Sequence, residues 1–106
     1  MRNWNWLPAE KAAARKAFNK ALNAELEAVM RETKERAARI RAASELWRLE
    51  RWLCERRREI DQKYDYRYSV LPMVFARLVG ERRLSIDDLK GLEPQKLAAI
   101  RFLAED

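Results

Sequence analysis

The residues best equipped to recognise another molecule fall in one run, residues 45–70. It holds Trp47 and Trp52, Arg48, Arg51 and the triplet Arg56-Arg57-Arg58, threaded with Glu45, Glu50, Glu55 and Glu59. At 100° per residue on a helix, Trp47 shares a flank with Arg51, Cys54 and Arg58, while Trp52 points to the other side. Tryptophan and arginine dominate the energy of protein interfaces, because they join a large contact area to hydrogen bonding or charge. The same arginines with a stacking indole could grip a phosphate backbone. The glutamates cancel most of that field, so a solvated, salt-bridged face is the plainer reading of the charges. The flank around Trp47 is the candidate working surface.

Other chemistry has little to work with. There is no histidine, which removes the commonest general base and the commonest metal ligand. The one cysteine, Cys54, cannot build a structural zinc site and reads as a small, partly buried side chain. Gly80 and Gly91 each follow a helical segment and form no phosphate-cradling loop. Asp87 and Asp88 are adjacent and read as first-turn helix acids, not as a catalytic pair. No enzyme, metal or cofactor is expected.

The composition narrows the setting. A chain of 106 residues makes one domain, 38% of it charged and 48% hydrophobic, which suits long solvated helices. Two glycines and three prolines leave little punctuation for hairpins. A single cysteine and the lack of a long apolar run point to the cytoplasm and away from a membrane. The residues around Met1–Pro8 show no signal-peptide core. The net charge of +6 suits nucleic acid, an anionic membrane surface or an acidic protein. Residues 1–43 hold ten basic and five acidic side chains, so the excess is interleaved along the first helix and not blocked.

These residues need helices to position them. Pro8 suits a helix start, and no breaker follows from Ala9 to about Ala42. Phe18, Leu22, Leu26, Val29, Met30, Thr33, Ala37 and Ile40 recur at three- and four-residue steps, a narrow stripe that requires a second helix in this chain or another copy. Glu27–Arg31, Arg31–Glu35, Glu32–Arg36 and Glu35–Arg39 are possible one-turn ion pairs. Ser44 is the expected N-cap of a second helix over residues 45–64, whose core stripe is Leu46, Leu49, Leu53, Ile60 and Tyr64. Arg57 projects into the middle of that stripe, at the edge of the expected core. A third helix over residues 69–79, apolar on most sides and stopped by Gly80, should be the buried centre of a C-terminal head. Ser85-Ile-Asp-Asp88 has the form of a capping box with aspartate for glutamate. Glu93-Pro94 opens a last helix to about Ala104, with Leu97, Ile100 and Leu103 as core positions. Trp4 and Trp6 read as a mobile arm or a staple across a neighbour.

The run Glu45-Leu-Trp-Arg-Leu-Glu-Arg-Trp-Leu-Cys-Glu-Arg-Arg-Arg-Glu-Ile-Asp-Gln-Lys-Tyr-Asp-Tyr-Arg-Tyr-Ser-Val70, followed by Val74-Phe-Ala-Arg-Leu78, resembles the fluorescence recovery protein family of cyanobacteria. The family's E-I-D-x-K-Y-D-x-R-x-S-V is matched throughout. Upstream, Phe18-Asn-Lys-Ala-Leu-Asn-Ala-Glu-Leu26 is similar to its F-x-K-A-x-x-x-E-L segment. The resemblance covers about nine tenths of the chain. It implies an all-α, non-catalytic homodimer with a stalk of the first two helices (about residues 8–64) and a helical head (65–106). It also implies a partner, the photoactivated orange carotenoid protein or a related carotenoid-binding domain. Binding would speed that partner's return to its dark, orange state and restore phycobilisome fluorescence.

The family's functional patch is matched at Trp47 and Arg57. Its histidine and aspartate after Leu49 are Glu50 and Arg51 here, a phenylalanine aligns with Met73, and a functional lysine aligns with Ala99. The expected partner-binding residues are therefore Trp47, Glu50, Arg51, Cys54, Arg57, Arg58 and Met73. The expected dimer contacts are Phe18, Leu22, Leu26, Val29, Thr33, Leu46, Leu49 and Leu53. Two alternatives stay open: a divergent homologue serving a different protein partner, and a basic helical protein that binds nucleic acid.

Overall fold

The computed structural model describes residues 4–105 and shows, among them, four α-helices and one 3-10 turn with no strand: α1 Pro8–Ala38, α2 Ala43–Lys63, α3 Leu71–Gly80, the turn Asp87–Leu89, and α4 Pro94–Glu105. Met1–Asn3, part of the N-terminal reading above, lie outside the described residues. The molecule is elongated, 53 × 23 × 21 Å.

Pro8 occupies the first helical position, where its missing N–H costs nothing, and the Leu7 N–H donates to Glu10 Oε1 at 3.1 Å. α1 ends at Ala38, earlier than the run of helix formers predicts. Tight bonds from Arg39 N to Arg36 O and from Ile40 N to Ala37 O, both 3.2 Å, close its last turn so that the chain can reverse. Ala42, extended at φ −141°, stands at the cap of α2, and Ser44 is already inside the first turn. The expected Ser44 cap is therefore not made. Glu45 takes part of that role, accepting from the Arg41 N–H at 3.2 Å. α2 then returns antiparallel to α1, so that Trp52 lies beside Arg36 and Lys63 beside Glu25.

The core lies in the head, and the first half of α1 belongs to it. Ala14, Ala17, Phe18 and Ala21 pack with Leu71, Val74, Phe75, Ala76, Leu78, Leu84, Leu89, Leu92 and Ile100. α3 is buried on most sides, as its sequence predicts, with Leu71, Phe75 and Leu78 fully enclosed. Gly80 is not the residue that turns the chain. Arg82 adopts the left-handed conformation (φ 62°), and the Arg83 N–H bonds back to Leu78 O at 2.8 Å. The Ser85–Asp88 box forms reciprocally: the Ser85 N–H donates to Asp88 Oδ2 (2.9 Å), and the Asp88 N–H donates to Ser85 Oγ (3.2 Å). Gly91 lets this loop touch α1, since a Cβ there would sit 2.5 Å from Ala13 Cβ. In α4, Ile100 is fully buried, whereas Leu97 and Leu103 are half-buried.

Candidate functional site

α1 and α2 meet through a mixed face. The residues of α2 turned toward α1 are Glu45, Leu49, Trp52, Arg56 and Lys63, which share about a sixth of the helical circumference and are all buried or half-buried. Trp52 is clasped by Arg36, whose guanidinium carbon lies 4.5 Å from the ring centroid. Among the four i,i+4 pairs expected on α1, Glu32–Arg36 forms, at 2.7 Å.

Because this seam faces inward, the leucine stripe of α2 turns sideways. Leu46 and Leu53 stay exposed, 45% and 36%, and Arg57, expected at a core edge, is 84% exposed and only 3.8 Å from Asp61. On α1, Leu26 is exposed and Leu22, Val29 and Thr33 are half-buried. These residues lie about a quarter-turn past the seam on their own helix. In an antiparallel pair that places them on the same side of the hairpin as Leu46 and Leu53, making one apolar side face. Phe18, grouped with them from sequence, is spent inside the chain. It is 5% exposed, with edge contacts to Tyr64 (5.4 Å) and Tyr66 (4.8 Å).

The candidate flank faces solvent. Trp47 is 56% exposed and joins Leu46, Glu50, Leu53 and Cys54 around a shallow apolar groove. Cys54 is exposed, not partly buried, because none of the described residues covers this side of α2. Among the described residues, the ion pairs of α2 involve Arg56 with Glu59 (3.1 Å) and Glu55 (3.8 Å), Arg57 with Asp61, and Lys63 with Glu25 and Glu81. Arg48, Arg51 and Arg58 take part in none of them. Met73 is not brought to this flank. It sits exposed on α3, beside a separate surface hollow with Ala76, Leu103 and Ala104. Trp6, expected in an arm or staple, folds back onto its own head against Tyr68 (5.3 Å) and Lys96 Nζ (4.9 Å).

Two buried charge networks were unforeseen from sequence: one ties the end of α2 to α1 and the head, the other ties α1 to α4. Lys63, 5% exposed, donates to Glu25 Oε2 and Glu81 Oε1, each at 2.8 Å, and the Tyr64 hydroxyl donates to Glu25 Oε1 at 2.7 Å. Burial and the Glu25 carboxylate push the Tyr64 phenol well above its usual range. At Glu81, burial favours the neutral acid, but hydrogen bonds from Lys63, Arg77 and Arg83 prevail and hold the carboxyl at about 2. Around this cluster a charged cleft of about 350 Å³ runs from Trp52 to Arg83. At the opposite end of the seam, the buried Lys96 ammonium reaches Glu10 Oε2 (2.9 Å) and Asn5 O (2.7 Å), and the Glu93 N–H donates to Glu10 Oε2 (3.0 Å). Burial raises the Glu10 pKa, and the bonds from Lys96, Glu93 and Leu7 outweigh it, leaving the carboxyl below its ordinary value. A sequence signal for both networks existed: Glu10, Ala14, Ala17, Phe18, Ala21 and Glu25 fall at three- and four-residue steps.

Among the described residues no helix is long and apolar enough to cross a membrane, and no cluster of metal-ligating side chains forms.

The family model described as photoprotection regulator fluorescence recovery protein matches residues 6–104. The fluorescence recovery protein of Synechocystis sp. (strain ATCC 27184 / PCC 6803 / Kazusa) is 36% identical over 99 residues, covering 93% of this chain and 91% of that protein. The solved structure of the Fremyella diplosiphon fluorescence recovery protein superposes with a TM-score of 0.92 at 40% identity, over 96% of this chain and all of that one. The Synechocystis structure gives the same TM-score and coverage at 35% identity.

Proposed function

The chain belongs to the fluorescence recovery protein family of photoprotection regulators, and from that premise we propose that it acts by binding, without catalysis of its own. It forms a homodimer, binds photoactivated orange carotenoid protein and speeds the return of that protein to its dark state. The observation that carries the reading is Trp47, a large indole more than half exposed on a rigid helix, with exposed Arg57 three turns further along it. A surface tryptophan beside arginine is the composition of an interface hot spot. A binder speeds relaxation only by holding the compact form, or the path to it, more tightly than the activated form.

The dimer rests on the apolar side face of Leu22, Leu26, Val29 and Thr33 with Leu46, Leu49 and Leu53. Two such stripes, one from each copy, bury one another in a four-helix stalk. Cys54, free and exposed, fits a reducing cytoplasm.

The test is the dark back-conversion of photoactivated orange carotenoid protein, followed by its visible absorption. This chain in excess should raise the rate, and Trp47→Ala should abolish the gain while leaving the circular dichroism unchanged. No acceleration at excess would remove the assignment. One observation favours a second reading: Arg51 stands where the family carries aspartate, which reverses the charge beside Trp47. A divergent member serving a different protein partner would show a stable dimer and no acceleration.

A further inference from the structure

We propose that Trp47, Arg51 and Arg58 form a docking strip for an acidic protein segment, with Trp47 as its anchor and the two arginines as its charge selector. This rests on the reading of α2 as the partner-binding helix and names the chemistry of the partner. At 100° per residue, Trp47, Arg51, Cys54 and Arg58 fall within about 60° of arc on α2, and no carboxylate of the helix falls inside that arc. All four are exposed. Glu50 borders the strip on the groove side and pairs with no arginine among the described residues, while the other neighbouring acids are drawn to Arg56 and Arg57. Glu55 and Glu59 lie nearest Arg56, at 3.8 and 3.1 Å, and Asp61 lies nearest Arg57.

Among the described residues, Arg51 and Arg58 are two unpaired guanidiniums one heptad apart, about 10 Å along the axis, and both lie on the side of Trp47 turned away from the groove that Leu46, Leu49, Glu50 and Leu53 complete. A carboxylate can accept two parallel hydrogen bonds from each guanidinium. The spacing suits acidic side chains separated by about two helical turns or three residues of extended chain, with an apolar side chain about one helical turn beyond the first of them to meet the indole. Nucleic acid fits less well. Two arginines neutralise at most two phosphates, far fewer contacts than a duplex backbone needs to be held.

The experiment uses the full chain and poly-L-glutamate as the acidic probe, with duplex DNA and poly-L-lysine for comparison, at low and moderate salt. Binding is read by tryptophan emission and by anisotropy of labelled probe. Poly-L-glutamate should bind with an emission change that Trp47→Phe removes. Arg51→Asp or Arg58→Glu should each weaken binding by about tenfold, since like charges then meet across the contact. Arg82→Asp, the same charge change on the head, should leave it within about twofold. Equal losses from Arg82→Asp and Arg51→Asp would reduce the effect to net charge and overturn the proposal. Tighter binding of duplex DNA, or no poly-L-glutamate binding at low salt, would overturn it as well. Acceleration of orange carotenoid protein recovery is scored separately, so a chain that binds poly-L-glutamate through Arg51 and lacks that activity keeps the strip and loses the partner's name.

Discussion

Removing one half of the Glu10–Lys96 pair should be the most damaging conservative change on the surface between α1 and α4. Lys96→Met keeps the aliphatic stem and deletes the ammonium, leaving Glu10 buried with a net charge. Three contacts vanish: the two to Glu10 at 2.9 and 3.1 Å and the one to Asn5 O at 2.7 Å. Breaking a buried pair from one side costs about 3–5 kcal/mol. The Leu7 and Glu93 N–H groups still donate to Glu10, so the lower end, about 3 kcal/mol, is expected. At about 4 °C or more per kcal/mol, that is a fall in Tm of more than about 10 °C. The assay is urea and thermal unfolding by far-ultraviolet circular dichroism, at one fixed protomer concentration because self-association would add to apparent stability. Glu10→Leu combined with Lys96→Met removes the stranded charge but orphans two N–H groups, so the double variant should lose less than the sum of the singles. A loss below about 1 kcal/mol for Lys96→Met, or strict additivity, would refute the account of the pair as a closed buried unit.

Four further outcomes follow from the same geometry. Glu10 and Glu81 have folded pKa values below their free values, so their stabilisation is complete above about pH 4.5 and is lost as pH falls toward 2. Tyr64 is raised, so stability also drops as pH climbs past about 10, and a Tm that stays flat from pH 7 to 3 would contradict the carboxylate networks. Gly91→Ala should destabilise by about 1–3 kcal/mol through its clash with Ala13, and Ala13→Gly in the same chain should recover part of that in denaturant titration. Phe18→Ala should cost about 3–5 kcal/mol in the same titration, and Leu26→Ala far less to the isolated fold, because only the first is enclosed by its own chain. Leu46→Glu should shift the protein from dimer to monomer in sedimentation while leaving its helix content intact.

The sequence exposed most of the helices because breakers are scarce, and the buried α3 because its apolar residues cover most of the circumference. It exposed the Trp47 flank because Trp47 and Trp52 project apart. The packing of α1 was harder to see. Its core-facing seam is Glu10, Ala14, Ala17, Ala21 and Glu25, where alanine looks like helix propensity and glutamate looks like solvent. The larger residues Leu22, Leu26 and Val29 drew the stripe about a quarter-turn away. Lys63 and Lys96 were hidden for the same reason, since a buried lysine is visible only once its carboxylates are placed around it. On α2 the leucine periodicity marked an apolar face and read it as core, but a stripe does not say whether its cover comes from the same chain. Here the antiparallel hairpin uses Trp52 and Arg56 for its own seam and leaves Leu46 and Leu53 outside.

The Glu10 site also sets an order of events during synthesis. Glu10 is made 83 residues before Glu93 and 86 before Lys96, the two donors that close around it. The hairpin of α1 and α2 can therefore assemble while the alanine seam still lacks α3 and α4, and the head cannot close on Glu10 until residues 93–96 have left the ribosome. A chain that lacks those residues leaves the seam uncovered by α4 and Glu10 without its Lys96 and Glu93 donors. Emergence of α4 is thus the step that closes the head over the seam of α1.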